Sequence, residues 1–182
     1  MIKRITPLAI MATTLLAPPL WAADGTMKLN GKVTENACTL DAGSKNQTVD
    51  LGRQSTYAGV SGSLPYGNLI IKLNNCPISS TKAYIRFEGT QATGTSYNID
   101  QIFAFSNTGQ PGAAGNVGFI ISEGDFTNLI SVNGASRAFD LNTGVGVTNE
   151  LKFSVGYMNT DRVAMRTPGH AVGSVQFSID YP

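Results

Sequence analysis

The chain has 182 residues, 42% hydrophobic and only 14% charged, with 13 lysines and arginines against 12 acidic side chains. This near-neutral balance argues against nucleic acid or an anionic membrane as a partner. Twenty glycines among many Thr, Ser and Asn residues favour strands and turns over helices. Residues 1–22 read as a targeting segment. Lys3 and Arg4 open it, residues 5–20 are mostly apolar yet short for a membrane span, and cleavage fits best after Ala22, with Ala23 the next site. Removing it leaves 182 − 22 = 160 residues, with 11 basic and 12 acidic side chains, enough for one domain with a core.

Strand-like runs then follow in order. Residues 26–34 alternate Met27, Leu29, Gly31 and Val33 with Lys28, Asn30 and Lys32, a period of two with one apolar face. After Cys38 and a loop at 41–46, residues 47–51 form a second run ending at Gly52. Residues 68–73 are densely apolar and lead into Asn74, Asn75, Cys76 and Pro77. Residues 82–87 alternate Ala83, Ile85 and Phe87. Runs at 102–105 and 117–122 flank a glycine-rich loop at 109–118, and shorter runs fall at 129–132 and 137–141. Residues 151–158 alternate Leu151, Phe153, Val155 and Tyr157. The last run, 172–181, alternates Val175, Phe177, Ile179 and Tyr181 with Gln176, Ser178 and Asp180, and Pro182 follows. The outer side of that strand must be covered by an earlier segment or by another molecule. No window carries a helical stripe longer than two turns. The pattern predicts an all-β, immunoglobulin-like sandwich.

Signatures of catalytic chemistry are sparse. His170, in Thr167-Pro168-Gly169-His170, is the sole histidine, with no H-E-x-x-H or G-x-S-x-G motif near it. It reads as a solvated loop residue, and a hydrolase would need it beside a nucleophile. Glu123 and Asp125 flank Gly124 and read as a turn. The glycine-rich stretch 109–115 precedes a strand, whereas a phosphate cradle opens a helix. Arg162 and Arg166 sit in a loop and make no basic stripe. The two cysteines, Cys38 and Cys76, lie in no C-x-x-C motif. In an exported chain they are expected to form a disulfide. No catalytic, metal or cofactor constellation emerges, and no nucleic acid or small-molecule substrate is expected. The chemistry of the chain reads as the making of interfaces.

The mature N-terminus Ala23-Asp24-Gly25-Thr26-Met27-Lys28-Leu29-Asn30-Gly31-Lys32-Val33, then Cys38-Thr39-Leu40, Gln47-Thr48-Val49-Asp50-Leu51-Gly52, Ile71-Lys72-Leu73-Asn74-Asn75-Cys76-Pro77, and a closing strand with Tyr181 next to last form an ordered set. That set resembles the subunits of chaperone–usher pili, the type 1 fimbrial protein family, across essentially the whole mature chain. The resemblance implies an immunoglobulin-like fold that lacks its last strand, completed by a donor strand from another subunit. It implies a signal peptide at 1–22, a donor extension at 23–33 and a pilin domain at 34–182. Gly25, Met27, Leu29, Gly31 and Val33 would enter a neighbour's groove. Val175, Phe177, Ile179 and Tyr181 would line the accepting groove, and the Pro182 carboxylate would anchor a chaperone. The implied partners are a periplasmic chaperone, an outer-membrane usher and neighbouring pilus subunits. The short extension is similar to tip adaptors, while the 41–49 segment is similar to the rod subunit, so both readings stand. A single-domain tip adhesin or lectin-like module is the alternative, although Trp21, the one tryptophan, leaves with the leader.

Overall fold

The computed structural model describes residues 37–56, 66–124 and 126–182. The expected signal peptide at 1–22 and the expected donor strand with Gly25, Met27, Leu29, Gly31 and Val33 lie outside the described residues, as does Asp125.

The described chain is all-β, save one four-residue helix and a short 3-10 turn. The strands are β1 (Thr39–Leu40), β2 (Tyr66–Asn74), β3 (Lys82–Glu88), β4 (Val117–Glu123), β5 (Asn128–Leu129), β6 (Phe139–Asp140), β7 (Thr148–Asn159) and β8 (Gln176–Asp180). They form an antiparallel five-stranded sheet ordered β1-β2-β7-β4-β5 and a three-stranded sheet ordered β6-β3-β8. This is the incomplete immunoglobulin-like sandwich, in which β1, β5, β6 and β8 are edges among the described residues.

The pattern of two explains the packing. In β3, Ala83, Ile85 and Phe87 are fully buried while Lys82 and Glu88 are exposed. In β2, Leu69, Ile71 and Leu73 face the same interior, and Leu151, Phe153 and Val155 of β7 meet them. Phe87 packs edge-on against Phe153 at 5.1 Å, and Phe139 does so at 5.4 Å. Edge-to-face rings add to area burial. β4 is buried along nearly its whole length, because its outer residue Ile120 joins Ala92 and Ile102 in a second small cluster. Cys38 and Cys76 form a disulfide that ties the start of β1 to the turn after β2.

Four expected strands changed form, the run at 129–132 shrinking to β5 (Asn128–Leu129). Residues 47–51 make no strand ladder. Asp41 accepts a hydrogen bond from the Gly43 amide and starts the helix α1 (Ala42–Lys45), where a loop was expected. This brings Ser44 and Gln47 to the edge of β2. Ser44 Oγ accepts from the Lys72 amide at 2.9 Å and Gln47 Nε2 donates to the Ile70 carbonyl at 2.8 Å. Side chains thus satisfy the edge groups that a ladder would have used. The run at 102–105 survives as isolated bridges at Phe103, to Gln91 on one side and to Phe119 on the other. Phe103 and Phe119 exchange backbone bonds of 2.8 and 3.0 Å. The run at 137–141 contracts to β6, and Ser136 bonds β3 beside it by accepting from the Ile85 amide at 2.9 Å.

Candidate functional site

Among the described residues β8 pairs with β3 on one side only, through Ile85↔Ile179 and Phe87↔Phe177. Its other side borders an open groove. The inward residues Val175, Phe177, Ile179 and Tyr181 are only half-buried, whereas Ile85 and Phe87 beside them in the same sheet are 0% exposed. The core is therefore less covered along β8 than along its neighbour.

The groove has two parts. The larger has a volume of about 820 Å³ and lies between residues 44–56 and residues 166–175. Phe105, Phe119 and Tyr157 form an aromatic floor, with ring centroids 5.2 Å apart for Phe105–Phe119 and 5.8 Å for Phe105–Tyr157. The smaller, about 620 Å³, lies between Ala37, Cys38 and Leu40 on one wall and Ile179 and Tyr181 on the other. The two share Lys45, Asn46, Val175 and Phe177, so one channel follows the whole of β8. Pro182 is exposed beyond its end. Such a shape, long, apolar-floored and bounded by an unpaired strand edge, accepts an extended peptide better than a compact ligand.

Polar groups mark the groove's two ends. Near Cys38, burial raises the Tyr181 phenol above its ordinary value, with the Cys38 backbone acting against it. Among the described residues no group meets the Tyr181 hydroxyl in hydrogen-bonding geometry. At the other end Arg166 is buried, its Nε donating to Asn159 Oδ1. Burial holds its guanidinium below the ordinary value, and Tyr157 acts the other way. Arg166, Gln54 and the aromatic floor lack a local sequence signal, because the fold gathers them from distant segments.

The remaining candidates separate. The His170 side chain is exposed, and its backbone pairs with the glycine-rich loop, the amide donating to Gly112 and the carbonyl accepting from Ala114 and Asn107. Glu123 is no simple turn residue. Its side chain, 11% exposed, accepts from Arg137 Nε at 2.7 Å and so joins the end of β4 to the chain entering β6. Arg162 stacks over the Tyr97 ring at 4.4 Å.

The sequence profile of the family described as "Fimbrial protein" matches residues 27–182. The chain belongs to the fimbrial protein family. This fimbrial protein is similar to the type-1 fimbrial protein, A chain, of Escherichia coli, with 32% identity covering 97% of this chain and 94% of that one. It is similar to the fimbrial subunit type 1 of Klebsiella pneumoniae, at 31% identity and the same coverage. Among solved structures it resembles an antigen and type I fimbria protein of Burkholderia pseudomallei. The TM-score is 0.52 at 24% identity, covering 81% of this chain and 91% of that one. The fimbrial protein is thus a structural subunit of a surface fimbrium that assembles with other pilus subunits.

Proposed function

We propose that this fimbrial subunit polymerises by strand donation. Residues 23–33 of one copy would fill the groove beside β8 of the next, with Met27, Leu29 and Val33 inward and Gly25 and Gly31 where the backbones approach closely. The observation that carries this reading is the half-buried inward face of β8 beside the fully buried face of β3. Three apolar side chains entering such a groove contribute about 1.5–3 kcal/mol each. Backbone bonds along the open edge of β8 add roughly 1 kcal/mol each. Ordering the extension opposes this by about 1–2 kcal/mol per residue, so slow unfolding of the completed core supplies much of the joint's durability.

Before assembly the same groove would be shielded by a periplasmic chaperone, with Pro182 as the anchor for its C-terminal contact, and an outer-membrane usher would catalyse the exchange. The leader at 1–22 would direct the chain to the periplasm. Deleting residues 23–31 tests the donor role. The shortened subunit should fold and co-purify with its chaperone yet fail to extend a fibre. Normal entry of the deleted form into pili would refute the assignment.

A further inference from the structure

The end of the groove remote from Cys38 holds buried polar atoms without partners among the described residues. Arg166 is 8% exposed and lines the larger cavity. Its Nε is fixed on Asn159, but among the described residues its Nη1 is buried and meets no acceptor. Gln54, on the opposite wall, has both amide atoms buried without partners among the described residues. A buried cation with an unmet donor is costly unless something supplies an acceptor. Both residues lie where a strand filling the groove would end.

Which end of that strand arrives there follows from the fold. The chain enters the described domain at Ala37 and Cys38, at the Tyr181 end of the groove. A subunit's own extension therefore leaves from the Tyr181 end. An open, head-to-tail polymer requires the donor's body at the opposite end, beside Arg166, because contacts between like ends would close after two copies. The residues of the extension nearest the donor's body then reach Arg166. On the inward face of the extension the period of two runs Gly25, Met27, Leu29, Gly31, Val33 and next Glu35. Glu35 and Asp24 are the acids between Ala23 and Asn36, and Asp24 falls on the other face. From Gly25 to Glu35 is 35 − 25 = 10 steps, and from Tyr181 back to Ala171 is 181 − 171 = 10 steps, so the lengths match. Ala171 and Arg166 line the same cavity.

Resting on the strand-donation reading, we propose that Glu35 of the incoming copy pairs with Arg166 of the accepting copy. The pair places an acidic residue where the guanidinium lacks its acceptor, fixes the register of the donor strand, and discriminates against extensions without an acid at that position. Gln54, with a free donor and a free acceptor, suits the backbone of the same strand.

The test uses polymers assembled from full-length chains, and reads their lifetime in denaturant. Glu35→Gln should shorten the lifetime at least about tenfold, since a buried charge-assisted pair is lost. Asp24→Asn should leave it unchanged, and Glu35→Gln should add nothing in an Arg166→Gln background. Should Arg166→Gln fail to fold, the comparison of Glu35→Gln with Asp24→Asn still decides. Equal lifetimes for Glu35→Gln and the unaltered chain, or independent effects at 35 and 166, would overturn the pairing alone. Failure of the unaltered chain to form any polymer resistant to denaturant would overturn strand donation itself.

Discussion

At the scale of single residues the sandwich depends on close approaches that a Cβ would prevent. A Cβ on Gly118 would lie 2.5 Å from the Phe103 carbonyl oxygen and 2.5 Å from Ile102 Cγ2. The backbone oxygen cannot rotate away, and it belongs to the residue pair that holds the 102–105 segment on β4. Gly118→Ala should therefore destabilise the subunit by about 1–3 kcal/mol, read as a lower denaturation midpoint. A midpoint equal to the parent's would mean that the segment shifts freely. Gly118 was legible only as the end of a glycine-rich loop, because what it touches is set by tertiary contact. Arg166 was hidden for a similar reason. Its neighbours Asn159 and Tyr157 come from β7, and sequence spacing does not announce that pairing.

At the scale of elements, strands that bury one face were legible and strands held by side chains were not. β2, β3, β7 and β8 follow the alternation of Ile71, Ile85, Phe153 and Phe177, because a strict period of two places one face on the core. The 47–51 run carries similar alternation, but Ser44 and Gln47 take the edge groups of β2 that a ladder would have used. Short polar side chains compete with the backbone in this way. The disulfide acts on the neighbouring element, fixing β1 to the end of β2 across a separation of 38 residues. Closing that loop contributes about 4 kcal/mol in the chain-entropy model. Reduction, or Cys38→Ser with Cys76→Ser, should lower stability by about that amount in denaturant titrations. An unchanged midpoint would show that β1 is held by packing alone.

At the scale of the whole molecule, the groove along the edge strand β8 is, among the described residues, the unfinished side of the fold. The sequence named its wall, Val175, Phe177, Ile179 and Tyr181, from alternation and resemblance. It did not name the floor of Phe105, Phe119 and Tyr157, which three separate segments assemble. The central claim is that a strand from outside the domain completes this core. The most direct measurement compares residues 34–182 alone with the same domain carrying residues 23–35 fused after Pro182 through a short glycine linker. The account predicts that the fused form is monomeric and unfolds at least about 10 °C higher, given the apolar surface that the strand covers. A domain without the fused strand that is equally monomeric and equally heat-resistant would contradict it.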